Sequence, residues 1–432
     1  MKRSDAPEST STPSGDASPP AGAHEGQLVA SPALRENQPD TEEQATSENR
    51  SSARATRQVL TGRAARDLPE VSASPIQLTW RQLRKNRAAV AGGITLLLLY
   101  AMALFAPFLA PYNPTNQSPG GQNLTFHPPM RLRFVDVNGK FSLRPFVYQT
   151  QQQFTEERDI IYPPVAEQPR PLQFFVRGSD YKLFGLIPTN IHLFGVDNGY
   201  VYLLGTDQEG RDYFSRLLIG SQISLSVGLI AILITFTLGM LVGGISGFYG
   251  GVVDDIIQRG CEILMSVPDF YLLLALAAAL PTDWDPVRVY LLIIVILSFV
   301  GWAGMARIVR GLVLSVRERE YVEAGRALGV GDFKLIVRHI LPSTFTYAIV
   351  AATMSIPGYI LGEAGLSFLG LGIRDPMPSW GNMLSTAQQL SVLERYEWIL
   401  APGLMIFITT LAFNFLGDGL RDALDPKSRK LG

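Results

Sequence analysis

The chain has 432 residues, 47% of them hydrophobic and 17% charged, and its formal net charge at pH 7 is -1. This balance lacks the basic excess typical of nucleic-acid-binding proteins, so nucleic acid is not expected as a partner. The single cysteine, Cys261, excludes an intrachain disulfide and any metal site built from several cysteines.

Residues 1–78 form an N-terminal segment that is rich in Ser, Ala, Pro and Glu and poor in aromatic residues. A segment of this composition buries too little apolar surface to offset the conformational entropy lost on ordering, so it is predicted to be a disordered tail. It is not a signal peptide, because Met1-Lys2-Arg3 is followed by Ser, Asp and Ala-Pro instead of an apolar stretch. We expect a solvated extension.

Long apolar stretches dominate the rest of the chain. Six of them reach the roughly 20 residues that a helix needs to cross the hydrocarbon core of a bilayer. In lipid, backbone N–H and C=O groups find partners only within their own segment, so these stretches are predicted to be helices. The predicted spans are residues 88–110, within a first segment 79–110, and residues 222–246, 258–281, 288–312, 343–367 and 397–420. The sequence therefore predicts an all-α polytopic membrane protein with six transmembrane helices.

Basic residues beside the spans predict the orientation of the chain. They precede the first span and follow the last, which places both termini in the cytoplasm by the positive-inside rule. These residues are Arg81, Arg84, Lys85 and Arg87 before the first span and Arg421, Lys427, Arg429 and Lys430 after the last. The connector between the fourth and fifth spans is also basic. Residues 111–221 and 368–396 are therefore expected outside, and residues 421–432 form a cytoplasmic C-terminus.

The first external segment, residues 111–221, is long enough to hold structure of its own. Within it, residues 131–137 and 140–147 flank Asn138-Gly139, a turn dipeptide that predicts a β-hairpin. The aromatic residues expected to supply a small core are Phe174, Phe175, Tyr181, Phe184 and Phe194. We expect a small β-containing extracytoplasmic insert; the alternative is a spacer that only covers the outer mouth of the helices.

Two features inside the spans, an ionisable residue and a row of glycines, indicate a candidate pathway and close helix packing, respectively. Asp269 follows Pro268 in the third span, and an ionisable residue within a membrane helix is a candidate for a substrate pathway. The alternative is that Asp269 caps a helix that restarts after a proline break, where polar side chains satisfy freed backbone groups. Gly239, Gly243 and Gly247 recur four residues apart in the second span and predict close helix packing.

The connector between the fourth and fifth spans, residues 318–342, has the pattern of two short helices around a glycine turn. Gly329 and Gly331 permit left-handed backbone between these helices. The second helix is amphipathic, because its apolar residues recur at helical spacing and are expected on one face. They are Phe333, Ile336, Val337, Ile340 and Leu341. A helical hairpin of this kind on the cytoplasmic side would fit the groove of a partner protein.

The connector resembles the coupling loop of bacterial ABC-importer permeases, in which Glu-Ala-Ala is followed by three residues, Gly, nine residues and Ile-x-Leu-Pro. Glu323, Ala324, Gly329, Leu341 and Pro342 are in register, whereas Gly325 replaces the second Ala and His339 replaces Ile. The sequence His339-Ile340-Leu341-Pro342 is similar to the dipeptide, oligopeptide and nickel branch. Residues 205–212, 363–372, 378–381 and 417–426 also match that branch, so the resemblance covers about residues 80–428.

The resemblance implies a C-type permease subunit of an ATP-driven, binding-protein-dependent importer in a bacterial inner membrane. Its expected partners are a homologous second permease, two ATP-binding subunits, an extracytoplasmic solute-binding protein and the lipid bilayer. Residues 222–420 would form the core that lines the pathway. Glu323, Ala324, Gly325, Gly329, Leu341 and Pro342 would couple this core to the ATP-binding subunits. Peptides are the favoured cargo, with nickel and glutathione as alternatives.

Other functions are disfavoured by the residues themselves. The sequence has no Gly-x-x-x-x-Gly-Lys-Ser/Thr loop for ATP phosphates and no closely spaced histidines for zinc. We therefore expect a transport subunit without a cofactor, not an enzyme. An ion-coupled secondary transporter is the alternative. Such proteins carry ionisable chains in the membrane or repeated halves, whereas here the span centres carry only Asp269 and no internal repeat is visible.

Overall fold

The computed structural model describes residues 75–116, 124–156, 160–281 and 283–424. The predicted disordered tail lies outside the described residues, apart from residues 75–78, which begin the first helix. The predicted cytoplasmic C-terminus is described up to Leu424, where the last helix ends.

Helices form most of the described chain and confirm the predicted polytopic all-α fold. They are α1 (Pro75–Lys85), α2 (Arg87–Leu104), α3 (Ala106–Leu109), α4 (Tyr213–Tyr249), α5 (Gly251–Met265), α6 (Asp269–Ala278), α7 (Pro286–Val316), α8 (Glu320–Ala327), α9 (Asp332–Leu335), α10 (Leu341–Phe368), α11 (Trp380–Leu384), α12 (Leu390–Arg395) and α13 (Ala401–Leu424). A π-helical turn, Ile336–Ile340, joins α9 to α10, and short 3-10 turns cover Ser385–Gln388 and Glu397–Leu400.

Five helical stretches of the described chain are long and apolar enough to cross a membrane: Arg87–Leu104, Tyr213–Tyr249, Pro286–Val316, Asp332–Phe368 and Glu397–Leu424. The sixth candidate is a bent pair, α5 and α6, whose axes differ by 77°. The predicted third span, residues 258–281, is therefore broken and not one straight helix. Pro268 explains the break, because proline lacks a backbone N–H and its ring disfavours a continuing helix.

The first residues of α4 lie in the range 111–221 that was predicted to belong entirely to the insert. Asp212 caps this helix, since its carboxylate accepts a hydrogen bond from the backbone N–H of Ser215 at 2.8 Å. A carboxylate at this position satisfies one of the unpaired N–H groups of a helix start. The helix therefore begins at Tyr213, in a polar stretch that hydropathy alone excludes from the span.

The three recurring glycines of the second span lie against α7. Cβ atoms added at Gly239, Gly243 and Gly247 would collide with Met305, Ala306 and Val313, respectively. The helix backbones therefore approach each other more closely than any larger residue would allow. The packing interpretation of these glycines is confirmed.

The insert contains, within its described part, seven strands: β1 (Arg133–Val135), β2 (Phe141–Thr150), β3 (Gln153–Phe154), β4 (Ile160–Ile161), β5 (Pro164–Pro171), β6 (Gln173–Leu183) and β7 (Ile187–Gly195). β1, β2 and β5 form an antiparallel sheet, β3 pairs with β4, and β6 pairs with β7. The predicted hairpin is β1–β2, with Arg133 opposite Phe146. Its turn includes Gly139 at φ 79°, and Asp136 Oδ1 accepts hydrogen bonds from the N–H groups of Asn138 and Lys140.

The predicted aromatic core of the insert is wrong for three of its residues. Phe174, Phe175 and Phe184 are 61%, 67% and 45% exposed, whereas Phe194 is buried. The core instead consists of Leu124, Met130, Val147, Leu172, Phe194, Tyr200, Val201 and Tyr202. Two of the exposed rings meet aromatic residues near the end of the first span: Phe184 lies 5.4 Å from Phe105, and Phe175 lies 6.2 Å from Phe108, between ring centroids. The β6–β7 hairpin therefore packs on that span.

The insert and the residue 318–342 connector lie at opposite ends of α4. The insert leads into the start of this helix, while Arg317, the residue immediately before the connector, donates a hydrogen bond to the carbonyl of Gly247 near the end of α4. The helix has 37 residues, which corresponds to a length of about 55 Å. The fold thus separates two candidate functional regions by the thickness of a membrane.

Candidate functional site

The connector between α7 and α10 folds as the predicted helical hairpin. α8 ends with hydrogen bonds from Gly329 N–H to the Arg326 carbonyl, at 2.9 Å, and from Val330 N–H to the Gly325 carbonyl, at 3.1 Å. This pair of bonds is a Schellman motif, which requires a left-handed residue at its centre. Gly329 meets that requirement with φ 74°. Gly331 does not need it, because its φ is -62°.

The sequence pattern predicted that the apolar residues of the second half of the hairpin lie on one face. This prediction is wrong. Ile336, Ile340 and Leu341 are buried, whereas Phe333 is 68% and Val337 is 41% exposed. The π-helical turn Ile336–Ile340 explains the difference, because it adds a residue to one turn and shifts the side chains that follow. The hairpin therefore has one apolar face against the bundle and a second one exposed.

Three contacts attach the hairpin to α4 and α10. Leu341 and Ile336 lie against Gly244 of α4, where an added Cβ would be 2.9 Å from Leu341 Cδ2. The Arg326 guanidinium lies over the ring of Phe248, 4.8 Å from its centroid. The Tyr321 hydroxyl donates a hydrogen bond to Ser343 Oγ at 3.3 Å. The hairpin is thus attached to α4 and to the first turn of α10.

The residues predicted to couple the core to a partner fall into two groups. Glu323, Ala324, Gly329 and Pro342 are exposed on the hairpin. Leu341 is buried, and Gly325 lies under Leu335, where an added Cβ would be 2.8 Å from Leu335 Cδ1. The glycine at position 325, which departs from the Glu-Ala-Ala pattern, therefore lets α8 approach α9. Leu328, 83% exposed at the tip, is an apolar residue that the sequence analysis did not single out.

Asp269 lines a cavity of about 520 Å³ beside the break between α5 and α6. The walls come from α4, α5, α6, α7 and α10; they include Thr235, Met265, Leu273, Leu297, Val300, Gly301, Gly304, Met305, Arg307, Ile308, Ser355, Gly358 and Tyr359. Asp269 is exposed and is the first residue of α6, but this helix has no side-chain hydrogen-bond cap. The carboxylate lies where it interacts favourably with the helix dipole and still faces the cavity.

Arg307 lines the same cavity and was missed by the sequence analysis. It lies near the end of the predicted fourth span, where basic residues are usually attributed to the membrane interface. Among the described residues its guanidinium donates one hydrogen bond, to Met265 Sδ at 3.7 Å, and it forms no ion pair there. One sequence signal could have placed Arg307 at the cavity. It lies one helical turn after Ala303 and Gly304, and therefore on the same face of α7 as these small residues.

A second polar cluster lies where α4 begins, in the matched stretch of residues 205–212. Arg211 and Arg216 are buried and share two carboxylates. Asp207 Oδ2 lies 2.7 Å from Arg211 Nε and 3.4 Å from Arg216 Nε. Asp375 Oδ1 lies 3.1 Å from Arg211 Nη1 and 2.7 Å from Arg216 Nη2. Burial opposes ionisation of Asp375, but the two guanidiniums outweigh it and hold the pKa of that carboxyl below its usual range.

The matched stretch of residues 363–372 contains a buried carboxylate of a different kind. Glu363 is fully buried and accepts hydrogen bonds from Ser224 Oγ at 3.1 Å and Ser367 Oγ at 2.7 Å. Ser224 Oγ in turn accepts one from the backbone N–H of Trp380 at 3.1 Å. This chain of bonds joins α4, α10 and α11, so the motif holds the bundle together at this level.

Two family models match the chain. Residues 239–430 match the binding-protein-dependent transport system inner membrane component, and residues 74–129 match the N-terminal TM domain of oligopeptide transport permease C. The first match contains the hairpin and every residue that lines the Asp269 cavity except Thr235. The fold and these two sites define a multi-pass inner-membrane permease of the ABC-importer type.

Curated relatives extend the match over most of the chain. The dipeptide transport system permease protein DppC of Bacillus subtilis is 35% identical over 369 residues, which covers 85% of this chain and 91% of that protein. The oligopeptide transport system permease protein OppC of Haemophilus influenzae is 39% identical over 257 residues, covering 59% and 78%. The glutathione transport system permease protein GsiD of Pectobacterium atrosepticum is 33% identical over 354 residues, covering 82% and 92%. The chain belongs to the family of binding-protein-dependent transport system inner membrane components.

Proposed function

We propose that this chain is one of two permease subunits of an ATP-driven, binding-protein-dependent importer of peptides. The observation that carries the proposal is the helical hairpin, which exposes Leu328 and Phe333 at one end of the bundle. Exposed apolar side chains on a rigid helical knob fit a hydrophobic groove of a partner. Glu323, Ala324 and Gly329 lie on the same surface and would contact an ATP-binding subunit, while Gly325, Leu341 and Pro342 would hold its shape.

The hairpin is well placed to transmit movement. It is continuous with α7 at one end and with α10 at the other, and both helices line the Asp269 cavity. A displacement of the hairpin by closing ATP-binding subunits would therefore shift Gly301 and Arg307 on α7 and Tyr359 on α10. Such a shift changes the access to the cavity, as alternating access requires. The energy would come from the partner subunits, since this chain would have no ATPase site.

Orientation and cargo follow from the same proposal. The hairpin and both termini would lie in the cytoplasm, with the β-containing insert outside, next to an external solute-binding protein. A homologous permease would complete the pathway. Peptide cargo is supported by the names of the relatives, which include dipeptide, oligopeptide and glutathione systems. An ion-coupled secondary transporter is not favoured, because the coupling hairpin has no use in such a protein.

Co-purification from the native membrane tests the proposal. The chain, tagged and extracted in mild detergent, is expected to bring down two ATP-binding subunits and a second permease, identified by mass spectrometry. A variant with Leu328→Asp and Phe333→Asp should lose the ATP-binding subunits and keep the second permease. Recovery of the wild-type chain alone, or as a dimer without ATP-binding subunits, would contradict the assignment.

A further inference from the structure

The cavity beside the broken helix contains two opposite charges that do not neutralise each other. Asp269 and Arg307 both line it, yet they form no ion pair with one another. In the part of the chain that the structure describes, the Asp269 carboxylate has no hydrogen bond or ion pair. Within the same described residues, the Arg307 guanidinium has one hydrogen bond, to Met265 Sδ, and no ion pair. Both side chains are exposed in the single subunit.

Unpaired charges within membrane-spanning segments are costly unless they meet water or a ligand. Ionisable residues within membrane-spanning segments are rare and mark substrate or ion pathways. The other walls of the cavity are mainly apolar, with Leu273, Leu297 and Val300 among them. An apolar cavity with two separated charges of opposite sign is the arrangement that recognises a zwitterion, because each end of the ligand finds one partner.

The remaining polar groups fit the middle of such a ligand. Ser355 and Tyr359 line the same cavity. The Ser355 hydroxyl donates to the Ala351 carbonyl at 2.9 Å, so its oxygen remains able to accept a hydrogen bond from a peptide N–H. Thr235 also lines the cavity, but it is buried and its hydroxyl donates to the Ser298 carbonyl at 3.5 Å. Gly301 makes room for the Tyr359 hydroxyl, because an added Cβ there would collide with it. The volume of about 520 Å³ lies within the roughly 300–1,000 Å³ of typical small-ligand sites.

We propose that Asp269 and Arg307 bind the two termini of a short zwitterionic peptide, with the ammonium group at Asp269 and the carboxylate at Arg307. This inference rests on the proposed import of peptides and specifies which peptides the pathway favours. Charge-assisted hydrogen bonds of this kind are stronger than neutral ones. Capping either terminus of a peptide should therefore slow its passage.

Uptake by the complete complex in proteoliposomes tests this, with the same binding protein in every sample. The probes are radiolabelled tri-alanine, N-acetyl-tri-alanine and tri-alanine amide. The variants are Asp269→Asn, which removes the charge and keeps the side-chain size, and Arg307→Gln, which removes the charge and leaves a shorter polar side chain. Arg259→Gln and Glu262→Gln serve as matched controls; these two residues form an exposed ion pair of 3.9 Å on α5 and do not line the cavity.

The measured quantity is the ratio of the uptake rates of free and capped peptide within one variant, which does not depend on the amount of folded complex. Asp269→Asn should lower the preference for tri-alanine over N-acetyl-tri-alanine by about tenfold, the effect of about 1.4 kcal/mol, and leave the preference over the amide unchanged. Arg307→Gln should do the reverse. The control variants should keep both wild-type ratios.

The experiment distinguishes failure of the terminus-binding role from failure of the proposed peptide import. If both ratios stay at the wild-type values in Asp269→Asn and Arg307→Gln, the terminus-binding role is overturned and peptide import stands. If the wild-type complex shows no ATP-dependent uptake of any of the three probes while ATP hydrolysis is intact, both the peptide assignment and this inference are overturned.

Discussion

Gly329 shows how a single backbone angle can decide the shape of the helical hairpin. Its φ of 74° closes α8, and an added Cβ would meet nothing within 4 Å. The constraint on this position is therefore conformational and not steric. A residue with a side chain costs roughly 1–2 kcal/mol in the left-handed region, which would favour loss of the last turn of α8. That turn includes Ala324 and follows directly on Glu323.

We predict that Gly329→Asp abolishes coupling of ATP hydrolysis to transport without preventing membrane insertion. The strain would reposition the end of α8 and with it the exposed surface that is proposed to contact the ATP-binding subunits. Peptide uptake and transport-stimulated ATP hydrolysis in the reconstituted complex measure the effect, and membrane levels measure insertion.

Gly331→Asp is the matched control, because it adds the same charge two residues further on, where φ is -62° and any residue is accepted. It should retain most of the transport. Equal loss in both variants would assign the effect to charge at the hairpin tip, and normal transport by Gly329→Asp would refute the coupling role of this residue.

Single residues also show where sequence reasoning succeeds and fails. Gly329 was predictable, because a glycine after a helical stretch indicates a left-handed C-terminal cap. The exposure of Phe333 and Val337 was not, since it depends on the π-helical turn, which no local pattern announces. Arg307 was overlooked because a basic residue close to the end of a span normally reaches the interface. Its position on a cavity wall follows only from the packing of α7 on α10.

At the scale of elements, the charge network at the start of α4 joins parts that are distant in the sequence. Arg211 and Arg216 are held between Asp207, in the turn before the helix, and Asp375, in the segment after α10. Arg216 also donates to the carbonyl of Pro114 at 3.1 Å. The network therefore connects the end of the first span, the insert and the helix that follows.

The two carboxylates of this network should contribute unequally. Asp207→Asn is expected to destabilise the subunit by about 3 kcal/mol, because it leaves two buried guanidiniums without their buried counter-charge. Asp375→Asn should cost much less, since the Asp375 side chain is 47% exposed and water replaces part of its interaction. Thermal unfolding of both variants in detergent, followed by tryptophan fluorescence, measures the order. A lower transition temperature for Asp375→Asn than for Asp207→Asn would contradict the assignment.

Some elements were predicted correctly and others were not, because only some of them depend on local sequence signals. The spans follow from hydropathy, and the hairpin β1–β2 follows from Asn138-Gly139, because both signals are local. The break at Pro268 was visible as a possibility, but the 77° bend depends on how α6 packs against its neighbours. The early start of α4 escaped notice because Asp212 and Arg216 are polar, and their burial depends on partners far along the chain.

At the scale of the whole molecule, the long α4 separates the insert from the hairpin. The six apolar stretches, the external insert between the first two of them and the family resemblance were all available from the sequence. The core of the insert was not, because Phe175 and Phe184 are used to contact the first span. Such contacts between an insert and the bundle have no signature in periodicity, so the aromatic residues were assigned to the wrong partner.

The N-terminal segment offers a test at this scale, because the helical fold begins at α1. Leu83 on α1 and Ala89 on α2 form a buried cluster with Ala423 on α13, and Asn86 Oδ1 accepts a hydrogen bond from the Ala89 N–H at 3.2 Å. Deletion of residues 1–70 leaves all these groups in place, so transport by the complex should be unchanged. Deletion of residues 1–86 removes α1 and the Asn86 cap, and should lower the membrane level and the unfolding temperature. Loss of transport by the shorter deletion at a normal membrane level would assign the tail a function of its own.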